Sequence, residues 1–228
     1  MLTPNSGSIG GKIRSLTTPK PTMGMMLQGS LRAPVTRLIT PLCRGLIRIG
    51  ITANAMSLIG ASATIGAALL FFPSGKFFAG TIWVLIFVLF DLLDGTIARL
   101  SNKGSNAFGA LLDSTLDRLS DSAVIGGILW YEISKHDRLV PVVLISLIAG
   151  FMVSYIKARA ESLNIKCDGG LAERTERMII VLLTTALVGF GFDWAMALGI
   201  WTLALASVFT AAQRVVIVAR FLKAADDK

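Results

Sequence analysis

The sequence predicts an all-α integral membrane protein: six transmembrane helices preceded by an N-terminal amphipathic interfacial helix. Three observations carry that expectation. Of the 228 residues, 54% are hydrophobic and only 16% charged, and the mean hydropathy is +0.70, which no ordinary soluble domain shows. The apolar residues fall into runs of about bilayer length separated by short polar breaks. A basic amphipathic stretch stands ahead of the first run.

Residues 1–27 are polar, rich in Ser, Thr, Gly and Pro, and carry Lys12, Arg14 and Lys20. They lack the apolar core of a secretory signal, so they read as a flexible or vector-derived leader, with Met25 or Met26 as a candidate natural start. Residues 28–228 then form one membrane-embedded catalytic domain. Between Leu31 and Ile49 the apolar residues Val35, Leu38, Ile39, Leu42, Leu46 and Ile49 recur at helical spacing against Arg32, Arg37, Arg44 and Arg48. That pattern suits a helix lying in the interface with its basic face toward headgroups, and Pro34 and Pro41 start or kink it.

The spans follow at about Thr52–Phe72, closed by Pro73-Ser74-Gly75, then Phe77–Arg99, Phe108–Tyr131, Val140–Ala160, Arg177–Phe190 and Ala195–Phe221. The fifth is short unless it begins inside the polar Glu173–Arg177 segment. Six spans place both termini on one side. That side collects the amphipathic helix, Lys103, Lys166, Arg220 and Lys223, whereas the other holds Lys76, Lys135 and Arg138. The excess of positive charge marks the cytoplasmic face of a multi-pass protein of the plasma membrane. The net charge of +8 therefore points to anionic lipid rather than nucleic acid. Cys43 and Cys167 have no neighbours at metal-ligand spacing and are expected to be unbridged. His136, the only histidine, reads as a loop residue.

The chemistry concentrates in DLLDGTIARLSNKGSNAFGALLDSTLD, residues 91–117. Asp91 and Asp94 are three apart and Asp113 and Asp117 four apart, so each pair shares a helix face. If the turn around Lys103–Asn106 folds the two helices together, four carboxylates converge at the cytoplasmic leaflet. Such a cluster repels itself and either holds protons or binds a hard divalent cation such as Mg²⁺, Mn²⁺ or Ca²⁺. Surface aspartates on a soluble amphipathic helix are the bland alternative. The apolar runs on either side argue against it, because ionisable groups at a membrane span are costly. A cation transporter would also use intramembrane aspartates, but no self-similar halves are visible and the aspartates gather at one leaflet.

Asp91-x-x-Asp94-Gly95-x-x-Ala98-Arg99, followed after nine residues by Gly109-x-x-x-Asp113-x-x-x-Asp117, resembles the signature of the CDP-alcohol phosphotransferases at all eight of its fixed positions. The resemblance extends over nearly all of the chain after about residue 30. It implies a divalent-metal-assisted transferase that displaces CMP from a CDP-linked lipid, using two ions, Mg²⁺ or alternatively Mn²⁺. Asp91, Asp94, Asp113 and Asp117 would be metal ligands, with Asp117 also the catalytic base. Asn54, Asp94, Gly95, Ala98, Arg99 and Gly109 would line the CDP-lipid site. The proline that often precedes the asparagine in this family is Ala53 here, so Asn54 reads equally as a helix cap.

Ser154 and Lys157 near the end of the fourth span, Arg177 at the start of the fifth and Arg214 within the sixth are charges or donors with little reason to sit in apolar spans unless they share an anion. Arg159 and Arg174 are weaker candidates for the same cluster, and Asp121 either lines the acceptor pocket or pairs with Arg118. The segments SYIKARAE, ERTER and QR are similar to those of actinobacterial members of the family whose acceptor is inositol 1-phosphate. The reaction implied is transfer from CDP-diacylglycerol to inositol 1-phosphate; glycerol 3-phosphate is the alternative acceptor. The resemblance also implies a homodimer.

Overall fold

The computed structural model describes residues 40–100, 107–167 and 170–226; of residues 89–92, 94, 95, 98, 99, 225 and 226 it describes the backbone alone. Among the described residues the chain is all helical. The elements are α1 (residues 40–48), α2 (Ala53–Phe71), α3 (Phe77–Leu100), α4 (Ala107–Ser134), α5 (Val140–Ser162), α6 (Arg174–Gly189) and α7 (Trp194–Asp226). The residues 1–39 that hold the leader and the first half of the amphipathic stretch lie outside this set, as does the turn at 101–106.

Each break has a local cause. The Thr52 hydroxyl accepts the Ala55 N–H at 3.2 Å and caps α2, which leaves Asn54 inside the first turn and corrects the expectation that Asn54 serves as cap. Gly75 (φ 70°) closes the turn after α2 with Pro73 and Ser74. Pro141 sits in the first turn of α5, where its missing N–H is harmless. His136 lies exposed in the turn before α5, as its polar neighbours predict.

Among the described residues three helices are long and apolar enough to cross a membrane: Ala53–Phe71, Val140–Ser162 and Trp194–Ala224; Phe77–Val88 is a shorter apolar segment. The outer surface of the bundle carries exposed Leu70 on α2, Trp130 on α4, Phe190 at the end of α6 and Leu205 on α7, an arrangement that water would punish and lipid would not. α6 does begin inside the polar segment, at Arg174, and has only 16 residues.

The core is built where α2 to α7 converge, from Phe72, Val84, Val124, Ile128, Val143, Val181, Ile200 and Leu203. α2 packs against both α3 and α4, and α5 lies along α7. Small and hydroxyl residues let these helices approach, the means available when lipid supplies no hydrophobic contrast. A Cβ on Gly127 would come within 2.7 Å of the Ala68 carbonyl oxygen, so α4 touches the α2 backbone there. The Thr81 and Thr185 hydroxyls are 2.7 Å apart and join α3 to α6. At the other end, Cys43 packs on Met56, Leu93 and Ile97, and its thiol faces the Leu93 carbonyl at 3.7 Å. Burial pushes the Cys43 thiol up from its usual range. Neither Cys43 nor Cys167 forms a disulfide.

Candidate active site

α4 presents Asp113, Asp117 and Asp121 at successive turns. Asp113, nearest the start of the helix, is exposed. Asp117 is drawn inward: Arg174 Nη2 on α6 lies 2.8 Å from its Oδ1, and Arg118 Nη2 lies 3.5 Å from its Oδ2. Asp121 receives Arg177 Nη2 at 3.1 Å and has Arg174 Nε at 3.5 Å. Two arginines one turn apart at the start of α6 therefore interdigitate with two aspartates one turn apart on α4. This corrects the sequence-based pairing of Asp121 with Arg118, whose guanidinium reaches Asp117 instead.

Arg177 is 5% exposed and also donates through Nη1 to the Ala172 carbonyl at 3.2 Å. Its Nε would stand 3.5 Å from a Cβ on Gly150, so the glycine opens the α5 surface on which the guanidinium lies. Arg214, 2% exposed, donates to the Val153 carbonyl at 2.7 Å and to Glu173 Oε1 at 3.2 Å. Arg118 and Arg214 both stand close enough to Arg177 to repel its charge. Ser154, next to the Val153 that receives Arg214, bonds back to the Gly150 carbonyl at 3.3 Å. The bundle thus brings Asp117, Arg177, Arg214 and the Ser154 turn of α5 into one neighbourhood. Lys157 forms an ion pair with Glu161 on its own helix at 4.0 Å, and Arg159 is exposed with Nη1 3.4 Å from Ser162 Oγ.

Two acidic residues take partners that the sequence did not specify. Asp121 and Glu173 hold Arg177 and Arg214, so carboxylates already share the charge that an external anion was expected to neutralise. Their pairings span 56 and 41 residues, and no periodicity signals them. Beneath the cluster a cavity of about 10 Å³, lined by Arg118, Asp121, Gly150 and Arg177, has room for about one water.

Asp91, Asp94, Gly95, Ala98 and Arg99 lie on the second half of α3; their side chains are outside the described residues. Asn54 is partly buried at the start of α2, which packs against both aspartate-bearing helices, and Gly109 is partly buried in the first turn of α4. Among the described residues no three metal-binding side chains converge. The donors in view, Asp113 and Asp117 one turn apart on α4, are carboxylate oxygens, a set that fits a hard divalent cation. Arg174 already engages the Asp117 carboxylate that would help to hold such an ion.

Buried arginines on acidic partners, a ladder of aspartates and lipid-length helices around them define a membrane-embedded site for phosphate-bearing substrates. Residues 50–212 match the CDP-alcohol phosphatidyltransferase family. The chain belongs to that family, and it is a transferase. It is 48% identical over 189 residues to the phosphatidylinositol phosphate synthases of Mycobacterium bovis and Mycobacterium tuberculosis, covering 80% of this chain and 86% of each relative. The synthase of Streptomyces avermitilis is 40% identical over 216 residues, 90% of this chain and 88% of that one. The crystal structure of the M. tuberculosis synthase with CDP-DAG bound superposes with a TM-score of 0.76 at 46% identity, covering 80% of this chain and 94% of that chain. The same synthase in complex with manganese and citrate gives a TM-score of 0.74 at 47% identity, covering 78% and 88%.

Proposed function

We propose that this protein transfers the phosphatidyl group of CDP-diacylglycerol to inositol 1-phosphate, releasing CMP and forming phosphatidylinositol phosphate. The observation that carries this reading is the pair of buried guanidiniums, Arg177 and Arg214, beside the Asp113–Asp117–Asp121 ladder of a CDP-alcohol phosphatidyltransferase. Asp121 and Glu173 hold these guanidiniums in place, and an acceptor phosphate adds the second anion that two buried arginines in one neighbourhood can accommodate. Identity of 38–48% to relatives named phosphatidylinositol phosphate synthase supports the same acceptor. Membership of a transferase family displaces the transporter alternative.

In this reading Asp91, Asp94, Asp113 and Asp117 hold two divalent ions, Mg²⁺ or Mn²⁺; the relative crystallised with manganese supports divalent-metal use. When bound, the ions neutralise the pyrophosphate and stabilise departing CMP. Asn54, Asp94, Gly95, Ala98, Arg99 and Gly109 line the CDP-lipid site. Arg177 and Arg214, with Ser154 and Lys157, grip the acceptor phosphate and fix its free hydroxyl near Asp117. Asp117 takes the hydroxyl proton as oxygen attacks the lipid-bearing phosphorus and the bond from that phosphorus to the CMP oxygen breaks. Arg174 must surrender Asp117 Oδ1 for that transfer.

Residues 28–228 act as one catalytic domain with six spans, α2 to α7, behind an interfacial helix. The active site faces the cytoplasm from the plasma membrane, and the protein works as a homodimer. The positive-charge asymmetry supports the orientation.

The test is CMP release by the purified protein with CDP-diacylglycerol and Mg²⁺, offering inositol 1-phosphate, inositol and glycerol 3-phosphate in parallel. Release with inositol 1-phosphate alone is expected. Release with glycerol 3-phosphate alone would keep the aspartate chemistry and overturn the acceptor.

A further inference from the structure

At the end of the bundle opposite the aspartates, the C-termini of α4 and α6 and the N-termini of α5 and α7 surround a cleft of about 530 Å³. Its size is that of a small-molecule site, about 300–1,000 Å³. Glu132, on the last turn of α4, lies fifteen residues past Asp117, a rise of about 22 Å along the helix. The cleft therefore belongs to neither the metal ligands nor the acceptor arginines.

Glu132 lines this cleft and is 3% exposed, and among the described residues no hydrogen bond or ion pair reaches its carboxyl group. A carboxyl buried in that way costs several kcal/mol unless a donor satisfies it. The other polar lining groups are exposed at the rim. The Lys135 ammonium stands 4.5 Å over the Tyr131 ring, Arg138 follows in the turn, and Asp193 precedes α7. Asp137 is occupied locally, its Oδ1 accepting the Leu139 N–H at 2.8 Å ahead of α5. The remaining wall is apolar and includes Met196 and Trp201, and Trp201 is half exposed on the outer surface of α7. From depth to surface the lining runs from the Glu132 carboxyl to a rim of Lys135, Arg138, Asp137 and Asp193, with an apolar wall beside it.

We propose that this cleft binds the headgroup of an aminophospholipid, its primary ammonium on Glu132, its phosphate on Lys135 and Arg138 and its acyl chains along Trp201. The ammonium of such a lipid complements the buried Glu132 and its phosphate complements Lys135 and Arg138 at the rim, where Asp137 is turned to the Leu139 N–H. A primary ammonium brings three N–H donors to the buried carboxyl; a quaternary ammonium brings none, and a glycerol headgroup no charge. The half-exposed tryptophan at the mouth selects a lipid over a free headgroup, because its apolar face has no use for a water-soluble ligand.

The experiment uses the full chain in detergent, exchanged in turn with phosphatidylethanolamine, phosphatidylcholine and phosphatidylglycerol of matched acyl chains, and reads bound lipid by native mass spectrometry. Phosphatidylethanolamine should be retained at least tenfold over the other two. Glu132→Gln should abolish that preference while the protein elutes and melts as wild type. Lys135→Gln with Arg138→Gln, at exposed positions that pose no folding risk, should reduce phosphatidylethanolamine retention severalfold. Equal retention of the three lipids, an unchanged preference in both variants, or equal binding of soluble glycerophosphoethanolamine would overturn the proposal.

Discussion

Arg177 on α6 and Asp121 on α4 form an ion pair of 3.1 Å in which both side chains are largely buried, 6% and 14% exposed. The pair ties α6, which carries Arg177, to α4, which carries Asp113 and Asp117. In the proposed reaction Asp121 would be a positioning residue that aims Arg177 rather than touching substrate. Asp121→Asn leaves a buried guanidinium without its counter-charge, a loss of about 3 kcal/mol. The expected result is a lower melting temperature together with a raised KM for the acceptor and an unchanged KM for CDP-diacylglycerol. Equal effects on both substrates would assign Asp121 to stability alone.

Arg214 is anchored at both ends of its guanidinium, to Val153 on α5 and to Glu173 just before α6. Arg214→Ala should raise the acceptor KM by about thirtyfold or more, the equivalent of about 2 kcal/mol for a buried charged contact, with CDP-lipid binding nearly intact. An acceptor KM within twofold of wild type would show that Arg214 only braces the helices.

Asp117 carries the proposed base role while paired with Arg174 at 2.8 Å. Asp117→Asn keeps the shape and removes both charge and basicity, so turnover should vanish while CDP-diacylglycerol binding persists, measured by CMP release and by equilibrium binding of the lipid. Near-normal turnover would take the base role from Asp117. Because the Arg174 guanidinium sits on the Asp117 carboxylate proposed as a metal ligand, Arg174→Gln should tighten divalent-metal binding, which titration calorimetry reads directly.

Packing offers a paired test on neighbouring positions. A Cβ at Gly127 meets the Ala68 carbonyl of α2, whereas one at Gly126 meets nothing within 4 Å. Gly127→Ala should destabilise by about 1–3 kcal/mol because backbone cannot move aside, and Gly126→Ala should leave the melting temperature unchanged or slightly higher. Similar melting temperatures for the two variants would mean that α2 and α4 are not in contact at that point.

Cys43 and Cys167 are both almost fully buried, and burial raises the Cys43 thiol. Maleimide reacts with the thiolate, so the native protein should label slowly at neutral pH and fully after denaturation. Fast labelling of Cys43 in the native state would show that α1 lifts away from α3.

Much of the fold was legible in the sequence because lipid-length apolar runs are punctuated by residues with strong local preferences. Pro73-Ser74-Gly75 ends α2, Pro141 sits in the first turn of α5, and the helix bounds fall within a few residues of those expected. The Asp113–Asp117 spacing was equally legible, since a helix repeats at that interval. What escaped was set by tertiary approach: that Asp121 faces Arg177, that Glu173 faces Arg214, and that Thr52 rather than Asn54 caps α2. Charge composition announced that the arginines needed acids or anions, but which acid reaches which arginine depends on how α4, α6 and α7 are rotated about their axes.

α6, with 16 residues, rises only about 24 Å, against a hydrocarbon layer of about 30 Å. If α6 spans the bilayer as proposed, a helix that short, with Arg174 and Arg177 in its first turn, either thins the bilayer around it or starts below the headgroup plane. In both cases the aqueous boundary would dip toward Asp117 and Arg177. The proposed polyol phosphate would then descend to the chemistry while the lipid donor stays in its own leaflet, so the two would meet at an indentation of the membrane and neither would have to change phase.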